Sequence, residues 1–162
     1  LGLFREAFGA ESEEVATSLS NLEADHAALG ETAVALDLSL QALAIWREVL
    51  PPGDARLGVS LNNTGGFHMD LGQAGAARPL LTEALEVFRG AYGRDDHPDV
   101  TETASWLVAC HLVLARRDPE NEAEARRIAA AFGLDWEEAQ VKAARSSGPE
   151  DGDADEAGPG AD

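Results

Sequence analysis

A single cysteine, Cys110, among 162 residues excludes any intrachain disulfide and fits a reducing compartment, here expected to be cytoplasmic. Basic residues are equally scarce. Lys142 is the only lysine, and the 12 bases face 30 acids, leaving a formal charge of −18. A field of that sign repels nucleic acid and anionic membrane and favours basic partners, besides keeping the chain in solution. No apolar run approaches the roughly 18 residues of a membrane span, no signal-peptide pattern opens the chain, and nothing alternates like a strand. The chemistry-bearing motifs are missing too: there is no Gly-x-Ser-x-Gly elbow, phosphate-binding loop or Cys-x-x-Cys pair. The chain is therefore expected not to be an enzyme and to need no cofactor. Its arginine-over-lysine and alanine bias, with Leu1 in first place, reads as a piece of a larger bacterial protein.

What is present is repetition. Ser18-Leu19-Ser20-Asn21-Leu22 and Leu29-Gly30 return 42 residues later as Ser60-Leu61-Asn62-Asn63-Thr64 and Leu71-Gly72. Gln41-Ala42-Leu43-Ala44-Ile45-Trp46-Arg47 returns as Glu83-Ala84-Leu85-Glu86-Val87-Phe88-Arg89 at the same offset, and a weaker copy opens at His97-Pro98-Asp99-Val100, one residue later than the period. A fixed period of this length means stacked units, each too small to bury its own apolar face. Within each unit the spacing is helical. Val15, Leu19, Leu22 and Leu29 share one face of a helix that Ser12 is expected to cap and Gly30 to end. Further helices are expected at about Thr32–Leu50, stopped by Pro51-Pro52-Gly53, at Ala55–Leu71 and at Ala74–Tyr92, where Pro79 predicts a slight kink or a late start. Pro98 begins a helix to about Arg116, a shorter one ends near Phe132-Gly133, and Asp135 with Glu138 forms a capping box for a last one to about Arg145. Six acids and no base fall in Ser146–Asp162, a stretch too poor in apolar groups to offset ordering entropy and expected to be disordered.

These residues resemble tetratricopeptide repeats, specifically the 42-residue variety of kinesin light chains and many bacterial regulators. Ser60-Leu61-Asn62-Asn63, Leu71-Gly72, Arg78-Pro79-Leu80-Leu81, Glu83-Ala84-Leu85 and His97-Pro98-Asp99-Val100 follow that family's pattern, and the resemblance covers about residues 3–133. It implies an all-α fold, a superhelix (solenoid) of antiparallel helix pairs. The expected organisation is the second half of a truncated upstream repeat over 1–11, repeats over 12–53 and 54–96, a degenerate repeat over 97–133, a capping helix over 134–145 and an acidic tail over 146–162. The 1–11 assignment rests on Leu3-Phe4-Arg5-Glu6-Ala7-Phe8-Gly9 matching Val87-Phe88-Arg89-Gly90-Ala91-Tyr92-Gly93. Glu23 and Gly65-Gly66 depart from the family, which usually has alanine and its neighbour there.

Family members hold extended peptides on the concave face lined by the first helix of each repeat. Carried over by position, that face implies Thr17, Ser20, Asn21, Ala24 and Ala28, then Val59, Asn62, Asn63, Gly66, Met69 and Asp70, then Glu102, Ser105, Trp106, Ala109 and Val113. Asparagine amides both donate to and accept from a peptide backbone, although Asn21 and Asn63 could equally link neighbouring helices. This set contains no lysine or arginine, so it suits an apolar or basic protein segment rather than a carboxylate terminus. The alternative is a regulatory segment of a nucleotide-dependent switch or transcription regulator that contacts its own chain. His26, His68 and His111 recur at one place in successive repeats, but packed helix axes lie about 8–10 Å apart and zinc ligands about 2 Å from the metal, so packing rather than metal binding is expected. Asp151, Asp153, Asp155 and Asp162 mimic a calcium loop only by chance, since Glu156 stands where the turn needs glycine. Cys110 is expected to be a buried small hydrophobe and Trp46 and Trp136 to pack, which leaves Trp106 as the tryptophan with a groove address. Oligomeric state is not legible.

Overall fold

The computed structural model describes the backbone of residues 2–146 and the side chains from residue 12 onward. Seven helices and no strand occur among the described residues: α1 (Gly2–Ala28), α2 (Thr32–Val49), α3 (Ala55–Asp70), α4 (Ala74–Tyr92), α5 (Pro98–Leu114), α6 (Glu120–Phe132) and α7 (Trp136–Arg145). From α1 to α6 each helix packs on the next in chain order, with α1, α3 and α5 as the first helices of three successive pairs. This is the expected all-α array of helix pairs.

Local chemistry sets the corners. Gly30 and Gly72 adopt φ of 77° and 72°, a left-handed conformation that a side chain disfavours, and each turns a first helix into its partner two residues later. The three recurrent histidines secure the same corner. His26 Nδ1 lies 2.5 Å from Glu31 Oε2, His68 Nδ1 2.7 Å from Gln73 Oε1, and His111 Nδ1 3.0 Å from Asn121 Oδ1. Glu31 and Gln73 are the N-cap residues of α2 and α4, and neither side chain caps its own helix, because each is turned back to the preceding histidine. The histidine repeat is thus a corner latch. Asp54, His97 and Asp135 cap α3, α5 and α7 by accepting from the backbone N–H of Arg56, Asp99 and Glu138.

Two expectations about starts are corrected. α1 runs without interruption through Ser12, which therefore does not cap it. Gly9 is followed directly by Ala10-Glu11, good helix formers, whereas Gly93 at the matching place is left-handed and precedes a polar turn and Pro98. Pro79 does not delay α4, which begins at Ala74; an exposed proline in the sixth position forgoes one backbone bond only. The disordered-tail expectation begins at Ser146, which is buried and donates its hydroxyl to Lys142 O at 3.1 Å; the remainder of that stretch lies outside the described residues.

Apolar burial runs the length of the array. Ala16, Leu43, Trp46, Leu61, Phe88 and Val100 form one cluster across α1 to α5, and Met69, Leu81, Leu107, Val108, Cys110 and Ile128 form a second from α3 to α7. Leu85 and Phe132 pack against both, so the core is continuous. α3 approaches α4 closely: a Cβ on Gly58 would stand 2.7 Å from the Phe88 ring, and one on Gly65 2.7 Å from Leu81. Gly65 is therefore a packing requirement. Gly66 meets nothing within 4 Å. α7 departs from the pattern. It packs chiefly on α5, where a continuing array would place it on α6.

Candidate peptide-binding face

The first helices α1, α3 and α5 are joined side by side through polar bridges. Arg56 Nη1 donates to Glu13 Oε2 at 3.1 Å, Asn63 Nδ2 to Glu23 Oε1 at 3.0 Å, and Thr103 Oγ1 to Asn62 Oδ1 at 2.9 Å. On the face so formed, Thr17, Asn21, Ala24 and Ala28 of α1 are exposed, as are Val59, Asn63 and Asp70 of α3 and Glu102 of α5. Ser20, Asn62, Gly66, Ser105, Trp106 and Val113 are half-buried.

Met69 and Ala109 are different. Both are 0% exposed and sit in the second core cluster, so neither can line an open groove. Met69 lies one turn beyond Gly65, on the stripe of α3 that faces α4, which turns its side chain inward. Ala109 shares that cluster with Ala139 and Ala143 of α7, the helix that packs chiefly on α5. Asn62 and Asn63 each have one end of the amide engaged in an inter-helix bridge, which makes them links between repeats as well as face residues. Glu23 explains the Asn63 link: it is buried at 2% exposure, burial pushes its carboxyl above the ordinary range, and hydrogen bonds from Asn63 and Ser39 act against that rise.

One face residue was not found from the sequence. Lys142 of α7 reaches across to α5, its Nζ 3.9 Å from the centroid of the Trp106 ring and 3.4 Å from Ser105 Oγ. Burial lowers its pKa, while Glu102, Glu138 and Asp70 pull the other way; burial likewise raises that of Asp70, opposed by Lys142. Beside it Glu102, Ser105, Leu134, Glu138 and Lys142 line a recess of about 390 Å³. The signals available in the sequence were slight: a lone lysine in a capped helix, one residue before Ala143 and three after Ala139. Cys110 contributes no reactivity, since its thiol donates to Ala74 O at 3.1 Å and burial pushes it up to about 12. No helix among the described residues is long and apolar enough to cross a membrane.

Helix pairs that stack at a 42-residue period, each touching only its neighbours, define an α-solenoid repeat protein. The tetratricopeptide repeat family model matches residues 15–55 and 57–99, over half of the chain, and the chain belongs to that family. Such repeats are protein–protein interaction modules. Comparison with curated proteins gave no match. Among solved structures 22 chains match. One is a crystal structure described as that of a kinesin light chain from Podosopora anserina with nearly identical TPR-like repeats. It is 22% identical, with a TM-score of 0.54 over 75% of this chain and 59% of that one. That likeness shows the fold, and this chain spans about three-fifths of the other's length.

Proposed function

We propose that this chain is an interaction module that holds an extended segment of a protein partner on the face formed by α1, α3 and α5, acting without cofactor or catalysis. One observation carries the reading. Positions 17, 21 and 28 of α1 and 59, 63 and 70 of α3 recur on one side of successive repeats and stay open to solvent. Val59, 46% exposed, gives this side an apolar point one turn from the amides of Asn62 and Asn63, with Asp70 at the other end of α3. The acidic balance and the carboxylates of Asp70 and Glu102 support a partner that is basic as well as apolar, and disfavour nucleic acid and anionic membrane. A free buried thiol and the arginine- and alanine-rich composition support a bacterial, cytoplasmic setting.

The test avoids the link residues. Labelled parent chain on an array of 15-residue peptides should mark a reproducible subset, and Val59→Arg or Asn21→Ala/Thr17→Ala should lose those signals at least tenfold with helicity intact. Equal signals from the parent and both variants sink the reading. A second reading, in which the face is occupied by the protein's own chain, is favoured by the position of α7.

A further inference from the structure

Corresponding positions in the three repeats are not equally open. Ala24 in α1 is exposed, Gly66 in α3 faces space in which a Cβ would touch nothing, and Ala109, the next in the series, is wholly buried. The same contrast holds for position 63 in α3, which is exposed, and Trp106, its counterpart 43 residues on, which is half-buried beneath Lys142. What covers the third repeat is α7. It contributes two small residues one turn apart, Ala139 and Ala143, to the cluster that contains Ala109, and sends the lysine between them over Trp106. Its hold is confined to few groups. Ala139 and Ala143 are its only fully buried side chains, Trp136 at its start packs half-buried on the same core beneath Arg126 of α6, and Val141 points to solvent at 52% exposure. The ammonium is balanced by carboxylates of three helices: Asp70 at the end of α3, Glu102 of α5 and Glu138 of α7 itself.

We propose that α7 is an internal occupant of the partner-binding face, and that the third repeat's share of that face accepts a short helical segment with two small residues four apart and a lysine at the residue before the second. The lysine enters between Trp106, Asp70 and Glu102, and the small residues allow the segment's backbone to lie close over Ala109. A partner with this pattern competes with α7, which swings off α5 about the Gly133–Asp135 connection to admit it. Charge complementarity selects the partner: Lys142 is the only lysine of a strongly acidic chain, and it faces Asp70, Glu102 and Glu138. The inference rests on the reading of the α1–α3–α5 surface as the binding face and adds the chemistry of what binds its far end.

The test uses the whole chain and its own α7 as the probe. A fluorescein-labelled peptide of residues 135–146 is titrated against the parent and against Ala139→Glu/Ala143→Glu, in which α7 can no longer seat. The variant should bind the peptide at least tenfold more tightly than the parent does. A peptide carrying Lys142→Gln should bind it at least fivefold more weakly, and so should the unaltered peptide when Asp70→Asn/Glu102→Gln is added to the variant. Equal binding by parent and variant, or indifference to Lys142→Gln, overturns the proposal. Should the double glutamate variant lose helicity beyond α7, hydrogen exchange on the parent decides: α7 amides exchanging at least tenfold faster than those of α5 support a displaceable helix, and equal protection makes α7 a fixed cap. The peptide array reads the α1–α3 end and this titration the α5 end, so either can fail alone.

Discussion

Gly65 and Gly66 stand side by side in α3 and answer to opposite pressures. Each costs the helix about 1 kcal/mol relative to alanine. Gly66 faces open space, so Gly66→Ala should stabilise the protein by about 0.5–1 kcal/mol in urea denaturation. Gly65→Ala drives a methyl to 2.7 Å from Leu81 in the core and should destabilise by about 1–2 kcal/mol, the overpacking cost outweighing the helical gain. The sequence showed both glycines as departures from the repeat pattern; which of them was required depended on what α4 places opposite. Glu23 makes a second case. Burial raises its pKa, so folding favours the protonated form. Its contribution is complete below the ordinary carboxylate range near 4.5 and falls away as pH climbs through the raised value. Glu23→Gln keeps an acceptor for Asn63 without the charge. It should raise the melting temperature at pH 7, with the gain shrinking towards pH 4; a gain that is constant with pH, or absent, removes the buried-charge explanation.

At the scale of the element, helix limits were legible wherever a short-range signal fixes them. The Asp135–Glu138 cap, Pro98 in the first turn and the Gly30 and Gly72 corners all stand where the sequence put them. Ser12 failed as a cap because the residues before it go on forming helix, and a cap forms only where the backbone leaves the helical conformation. Asp135→Ala should cost about 1 kcal/mol. With only Ala139 and Ala143 fully buried and Trp136 half-buried, α7 is less anchored by this measure than any of α2 to α6, and that loss should appear as faster amide exchange confined to α7, while α1 to α4 keep their protection. Equal acceleration along the whole chain would mean that α7 and the solenoid unfold as one unit.

Across the whole molecule the dominant quantity is charge. A net −18 on a chain of this size opposes compaction by self-repulsion, and the ion pairs that offset it, such as Arg47–Glu83 and Arg89–Asp95, lie at the surface, where they are worth little. Raising sodium chloride from about 20 mM to about 200 mM shortens the screening length from roughly 20 Å to below 10 Å. Calorimetry should then show melting shifted upward by about 2–4 °C, equivalent to ~1 kcal/mol at this length. A downward shift would assign the surface ion pairs more stabilising weight than the repulsion they offset. The same excess of acid leaves Lys142 as a basic group conspicuous on the face, where it meets Trp106.

The sequence by itself determined the period, the helices, their corners and the family, because apolar spacing, left-handed glycines and caps act over a few residues and repeat visibly. The carried-over positions 17, 21, 59 and 63 of α1 and α3 are exposed, but those of α5 are not uniformly so. Tertiary structure decided what happens between repeats. The bridges Glu23–Asn63, Asn62–Thr103 and Ser105–Lys142 join residues 40, 41 and 37 apart, and no local pattern marks them. Whether Met69 lines the face or the core turns on about 100° of helix rotation per residue, which only the packing of α4 against α3 fixes. The seat of α7 was decided in the same way: its short helix could have continued the stack on α6, and it is the fit of Ala139, Ala143, Lys142 and Trp136 to their neighbours that sets it chiefly on α5.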